Sequence, residues 1–295
     1  MNEAEVPQLV IRPAGPQQAP ELLGWLLDER LVGKAVAEPG RVFAAFRSDR
    51  PVGAIWAKLS AGRIGSLIGP RTEASDGVEI GCRLIRQASD FFVGQGVTLA
   101  QASLPIGAEP QIDMYRTAGF GAGITLDYLV SSLEQPVGRA GEARHPGLGF
   151  VPYRTALADS WQHVLLQTYE GSLDCPLLNG RRAVEDILAG YRAVGAYADP
   201  LWLLIQFAGR YIGCLILTDH PADDQLELIY LGIVPEFRGR GFGLAATRHA
   251  QGLTRRAGRS RLILAVDSTN GPAQAIYGRA GFICWDRRQV VLRFF

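Results

Sequence analysis

The sequence predicts an α+β protein of two tandem lobes, each a mixed central sheet flanked by helices. Three observations carry this reading. The chain has 295 residues, close to twice a domain of ~150. It repeats itself. Within each copy, apolar runs of strand length alternate with segments of helical period. The repeat is clearest in Tyr115-Arg-Thr-Ala-Gly-Phe120 and Tyr277-Gly-Arg-Ala-Gly-Phe282, 162 residues apart. Upstream, Pro51-Val-Gly53 matches Tyr211-Ile-Gly213 at an offset of 160, and Leu9-Val-Ile-Arg-Pro13 matches Phe150-Val-Pro-Tyr-Arg154 at 142. The rising offset gives the second copy about twenty extra residues between its first two strands. Residues 1–133 are read as the first lobe and 150–295 as the second. The stretch 134–149, rich in Gly, Pro and charge without periodicity, is read as the linker.

The second copy can be taken in order. Trp202–Phe207 and Tyr211–Thr218 are apolar runs around Ala208-Gly209-Arg210, a hairpin signal. Leu226–Val234 reads as the next strand, after the polar turn 219–225. In Leu244–Ala257 the residues Ala246, Ala250, Leu253 and Ala257 share a helical face, and Gly258 follows as a stop. Leu262–Val266 is a short buried strand, Pro272–Ala280 a helix with Pro in its first turn, and Gln289–Phe295 a closing strand.

Composition excludes several function classes. The chain is 47% apolar and 20% charged, which suits a packed core rather than disorder. Thirty Lys and Arg against 29 acids leave a net charge of +1, too little field to suggest nucleic acid or an anionic membrane as partner. No apolar run approaches the ~18–20 residues that span a bilayer, and the acidic Met-Asn-Glu-Ala-Glu start lacks the features of a signal peptide. Cys82, Cys175, Cys214 and Cys284 lie far apart without metal spacing, so they read as reduced thiols and no metal is expected. A cytoplasmic location follows as the expectation.

The most informative segment is Ile229-Tyr-Leu-Gly-Ile-Val-Pro-Glu-Phe-Arg238-Gly-Arg-Gly241-Phe-Gly243. A strand ends, a Gly/Arg loop follows, and a helix begins near Leu244. Main-chain N–H groups at such a helix start lack intrahelical acceptors and, with the helix dipole, suit a pyrophosphate. Gly239, Gly241 and Gly243 admit close approach, and Arg238 and Arg240 can add charge-assisted contacts. A solvated turn flanked by arginines fits the loop by itself. A Walker loop is excluded, because Gly243 is followed by Leu244-Ala245. A dinucleotide fingerprint is excluded by the two-and-two spacing of the glycines.

The segment resembles the acyl-CoA-binding motif of the GNAT superfamily of N-acetyltransferases, Arg/Gln-x-x-Gly-x-Gly/Ala. Arg238-Gly-Arg-Gly241-Phe-Gly243 satisfies it in full. Downstream, Asn270-Gly-Pro-Ala273-Gln-Ala-Ile-Tyr277-Gly-Arg-Ala-Gly281-Phe282 is similar to the second signature of that family, Asn-x-x-Ala-x-x-x-Tyr-x-x-x-Gly-Phe. The resemblance covers roughly residues 150–295, extends in weaker form to the first copy, and includes two-lobed members such as mycothiol synthase.

The resemblance implies acetyl-CoA or another acyl-CoA as co-substrate, with no metal, and an amine-bearing acceptor. Ile233 and Val234 would pair with the pantetheine arm through their main chains. Arg238, Gly239, Arg240, Gly241, Phe242, Gly243 and Leu244 would hold the pyrophosphate, and Asn270 would hydrogen-bond the arm. Tyr277 would protonate the leaving thiolate, although its repeat in Tyr115 also suits a core tyrosine. Glu227, the only acid in its apolar stretch, would serve as general base, and it also suits a solvent-facing strand. Tyr169, Glu170 and Asp174, in the extra segment, could orient a cationic amine, although a polar loop needs no such role. Cys175 has no adjacent histidine and is not expected to be a nucleophile.

The first lobe breaks the pattern. With Gly81 on Gly243, Asp76 stands at the Arg238 position, Glu79 at Gly241 and Ala108 at Asn270. Two carboxylates would oppose phosphate, so this lobe is expected to bind no CoA. The sequence therefore suggests acetyl transfer to a primary amine by direct attack in the C-terminal lobe. The alternative is a CoA-binding or amine-sensing module without turnover.

Overall fold

A computed structural model describes residues 8–28, 32, 35–121, 123–133 and 145–295. Of the expected linker, residues 134–144 lie outside the described residues. The chain divides into two units, Met1–Gly123 with Gln289–Phe295, and Ile124–Arg288.

The first unit runs β1 (Val10–Pro13), α1 (Ala19–Leu26), β2 (Gly40–Arg47), β3 (Arg50–Ser60), β4 (Ile64–Thr72), α2 (Gly77–Gly94), β5 (Leu99–Pro105) and α3 (Glu109–Thr117). Its strands lie in the order β1-β2-β3-β4-β5, antiparallel up to the parallel β4/β5 pair. The alternation in β2 buries both faces. Phe43 and Ala45 pack with Ile80 and Leu84 of α2, while Val42, Ala44 and Phe46 pack with Leu22 and Leu23 of α1.

The second unit runs β6 (Ile124–Ser132), β7 (Leu148–Pro152), α4 (Ala158–Tyr169), α5 (Val184–Arg192), β8 (Trp202–Phe207), β9 (Arg210–His220), β10 (Gln225–Ile233), α6 (Phe242–Arg256), β11 (Arg261–Asp267), α7 (Gly271–Arg279) and the start of β12 (Ile283–Phe294). Its order is β12-β6-β11-β10-β9-β8-β7. The β8/β9 hairpin turns on Ala208 and Gly209, both at positive φ (49° and 76°), as a two-residue hairpin loop requires. The extra residues of the second copy contain α5.

Packing boundaries and repeat boundaries differ. Residues 124–133, expected in the first lobe, belong to the second unit, because β6 pairs with β11 from Arg261↔Ser132 to Asp267↔Leu126. Gln251 Nε2 also donates to Ser131 Oγ at 2.9 Å. Residues 289–295, expected in the second lobe, belong to the first unit, where Val291 is buried beside Tyr115 and Phe120. The N–H of Phe295 donates there to the Thr98 carbonyl at 3.1 Å. The first copy thus delivers its whole last strand, and the second copy part of its own, to the unit built by the other.

Among the described residues, no helix is long and apolar enough to cross a membrane, and the four cysteines are free thiols.

Candidate functional site

The parallel pair β10/β11 is short. Gln225–Leu228 lie beside Arg261–Leu264, and then the strands part. A bulge between Leu228 and Tyr230, on the β9 side, marks where β10 turns away. A cavity of about 440 Å³ occupies the gap, walled by Ile229, Ile233, Val266 and Tyr277 among others. Its floor is the glycine loop. Helix α6 starts at Phe242, and its N-cap, Gly241, has φ 84°; Gly239 has φ 75°. A Cβ at either position would meet nothing within 4 Å, so it is the left-handed backbone that calls for glycine. The loop and first-turn amides of α6 are left open to an anion. Gly243 has a different reason. A Cβ there would lie 2.9 Å from Ile276 Cδ1, so this glycine lets α6 and α7 approach each other.

The sequence-expected residues separate into three groups. Ile233, Arg238, Gly239, Gly241, Phe242, Gly243, Leu244, Asn270, Tyr277 and Asp174 do line the cavity. Asn270 also caps α7, its Oδ1 accepting from the Ala273 N–H at 3.2 Å. Others differ from the expected role. The Arg238 guanidinium does not form a free fork for phosphate. Its nitrogens donate to the carbonyls of Ile233 (2.9 Å), Gly171 (3.1 Å) and Thr168 (2.9 Å), tying the glycine loop to the end of α4. The Val234 N–H is spent on Ile212 O at 2.9 Å, so it has no hydrogen left for a ligand. Arg240 lies over the Phe237 ring, 5.1 Å from its centroid.

The third group is outside the cavity wall. Glu227 sits on the paired stretch of β10, before the splay, with its Oε2 2.9 Å from His220 Nε2. The cavity wall therefore does not include Glu227. Tyr169 turns inward, its hydroxyl 2.8 Å from that of Tyr191 and its ring 5.2 Å from Tyr230. Glu170 is exposed at the C-cap of α4.

Tyr277 and Asp174, both in the wall, carry unusual electrostatics. Tyr277 is 7% exposed. Burial pushes its phenol well above the ordinary value, with Asp174 adding to the effect, so it stays protonated at neutral pH. Among the described residues its hydroxyl has no hydrogen-bond partner. Burial also raises Asp174, and the Asp267 carboxylate adds to the shift. One hydrogen bond from the Asp267 N–H to Asp174 Oδ1 (3.3 Å) opposes it. Cys175 is pushed up to about 12 by burial and by both aspartates, which keeps its thiol protonated and poor as a nucleophile. Asp267, at the end of β11, was not singled out from sequence; a polar residue closing a buried strand beside a helix cap is the signal that could have found it.

Comparison with known proteins finds one family model and several similar folds. Residues 167–282 match the Acetyltransferase (GNAT) family. The matched residues lie within the second unit. The fold of the whole chain is similar to a GCN5-related N-acetyltransferase from Sphaerobacter thermophilus, at TM-score 0.65 and 16% identity over 98% of this chain and 97% of that one. A tandem GNAT protein from the clavulanic acid biosynthesis pathway aligns at TM-score 0.56 and 13% identity, over 97% and 98% of the two chains. A GCN5-related glucosamine N-acetyltransferase region of a fungal multi-domain β-N-acetylglucosaminidase aligns at 0.68 and 13%, over 98% of this chain and 38% of that one. No protein of curated function matches the chain in sequence.

The first unit repeats the packing glycine of the second but not its glycine loop. A Cβ on Gly81 would meet Met114 Sδ at 2.6 Å, as one on Gly243 would meet Ile276, and both pairs obey the 162-residue offset. Where the second unit has its glycine loop, however, α2 is already helical from Gly77. Asp76, at its N-cap, pairs with Arg47, and Glu79 is exposed in the first turn. Ala108 caps α3 without a side-chain hydrogen bond. The Tyr115 hydroxyl donates to the Gly69 carbonyl on β4 at 2.7 Å, bridging from α3 to β4 in the first unit.

Proposed function

We propose that the GNAT domain transfers an acetyl group from acetyl-CoA to a primary amine by direct attack, and that the first unit binds no CoA. The observation that carries this is the pairing of an anion-receptive helix start with a protonated, unpartnered tyrosine in one cavity between splayed strands. The residues fit the co-substrate. Open glycine positions and the α6 amides suit the pyrophosphate, the unpaired edge of β10 beyond Leu228 suits an amide-bearing arm, and Asn270 stands beside it. Acetyl-CoA supplies the activated acyl group. Tyr277 holds the proton that the departing sulfur needs.

The second reading is a sensor that binds CoA or an amine without turnover. It is favoured by one observation, that Glu227 stands outside the cavity. The two readings part in an assay of thiol release from acetyl-CoA against a panel of primary amines, with CoA affinity measured on the same preparations. Amine-dependent thiol release supports the enzyme. Tight CoA binding with no release at any pH contradicts it.

A further inference from the structure

We propose that Asp174 is the residue that receives the acceptor, binding its ammonium group and taking its proton, so that the acceptor class is a cationic primary amine on an aliphatic carbon. This rests on the acyl-transfer reading above. The cavity wall provides one carboxylate near the phenol of Tyr277. Among the described residues no Lys, Arg or His pairs with Asp174; its polar contacts are the Asp267 N–H on Oδ1 (3.3 Å) and its own N–H on Ser172 Oγ (3.1 Å). The groups that face it are Asp267 at the end of β11, Tyr277 on α7, Tyr169 on α4, Tyr230 on β10 and the neighbouring Cys175; none is a cation. The Asp267 carboxylate is itself engaged by the Thr269 N–H (2.9 Å) and hydroxyl (2.7 Å). Of the arginines in the wall, Arg238 is spent on three carbonyls and Arg279 is exposed in the last turn of α7.

The cavity is therefore polarised. Its cationic end is the start of α6, packed through Gly243 on Ile276. Its anionic end is Asp174, backed by Asp267 outside the wall and near Asn270 at the start of α7. Asn270 and Ile276 are separated by roughly 9 Å of helix axis. Between these ends the wall is apolar, through Leu228, Ile229, Val266 and Ile276. The unpartnered hydroxyl of the buried Tyr277 opens on the same space. An anionic co-substrate and a cationic acceptor would each meet the end that complements it. The partly desolvated carboxylate is short of a cation, and an alkylammonium supplies one.

The chemistry balances. Asp174 takes one proton from R–NH3⁺ and becomes a carboxylic acid. The freed nitrogen lone pair forms the N–C bond to the thioester carbonyl, and the C–S bond breaks with its electron pair on sulfur. Tyr277 gives its proton to that sulfur and recovers one from the nitrogen. The products are the amide, CoA as thiol, and one proton that Asp174 returns to water. Arg238 acts through the loop: by holding the Thr168 and Gly171 carbonyls it fixes the segment that carries Asp174, and is a positioning residue.

The test compares Asp174→Asn with wild type on two acceptors, butylamine, which is an ammonium at pH 7, and trifluoroethylamine, which is largely neutral. Asp174→Asn keeps an oxygen for the Asp267 N–H, and CoA affinity and thermal unfolding are measured on the same samples. The expected loss in kcat/KM is about 10²–10³-fold for butylamine and under ~10-fold for trifluoroethylamine, with CoA affinity unchanged. Asp174→Glu is expected to recover part of the butylamine rate. Equal losses on the two amines, or no loss on either, overturn the assignment of Asp174 while leaving acyl transfer standing. Absence of wild-type turnover on every amine, with CoA bound, overturns the acyl-transfer reading and this inference with it.

Discussion

Tyr115 and Tyr277 occupy the same place in the two copies, and the structure gives their hydroxyls opposite circumstances. Tyr115 is 0% exposed and donates to the Gly69 carbonyl at 2.7 Å. Tyr115→Phe keeps the ring, including its edge contact with Phe120 at 5.0 Å, and leaves that carbonyl without its donor. A lost partner of this kind costs ~1–3 kcal/mol; because Gly69 is only half-buried, the lower part of that range, about 1–2 kcal/mol, is expected. Tyr277→Phe removes a hydroxyl with no partner among the described residues, so its cost is near zero and its sign can be favourable. Activity should invert the order. Tyr277→Phe is expected to lower kcat by about 10²–10⁴-fold through loss of the general acid, and Tyr115→Phe to leave it within ~3-fold. Both variants are measured by denaturant titration and by thiol release from acetyl-CoA. The reasoning is refuted if Tyr277→Phe destabilises as much as Tyr115→Phe, or if it turns over at the wild-type rate.

Three further outcomes follow from the same geometry. Glu227→Gln, which touches His220 and not the cavity, is expected to hold kcat/KM within ~3-fold in the thiol-release assay; a loss beyond ~10² would restore Glu227 as the base. The pH profile of kcat/KM should fall on the acid side at a value above the ordinary ~3.9 of an aspartate, because only ionised Asp174 accepts a proton, and show no alkaline fall below ~10, because Tyr277 is raised. The linkage has a matching sign: raising the folded-state pKa of Asp174 penalises its charged form, so Asp174→Asn should melt higher than wild type at pH 7 and equally near pH 3. Gly243→Val, driven against Ile276, and Gly81→Val, driven against Met114, should each cost about 1–3 kcal/mol in thermal unfolding, whereas Gly258→Ala, with open space around it, should show only its backbone strain.

Much of the second unit was legible because its signals are local. The strand, glycine loop and helix around Arg238 are fixed by residues adjacent in sequence, and the observed α6 (Phe242–Arg256) and α7 (Gly271–Arg279) lie within two residues of the expected helices. What could not be read depends on distant partners. The type of Arg238 announces a charge, but the carbonyls it serves, Thr168 and Gly171, stand 70 and 67 residues away. Glu227 was singled out as an acid on the right strand, and its place outside the cavity wall follows from where β10 leaves β11, a tertiary event. Asp174 and Glu170 looked alike in a polar segment; burial against Asp267 sets one apart, and exposure the other. The exchange of last strands between units is invisible to a repeat, because each copy keeps its own sequence while pairing elsewhere.

The central claim, that one helix start of the two receives the pyrophosphate, is tested most directly by calorimetric titration of the full chain with CoA, alongside Gly241→Glu. That substitution places in the second unit the residue that stands in the first, on a backbone of φ 84° and against the anion. The account predicts one CoA per chain and a loss of binding in the folded variant. Two CoA per chain, or unchanged affinity in Gly241→Glu, would contradict it.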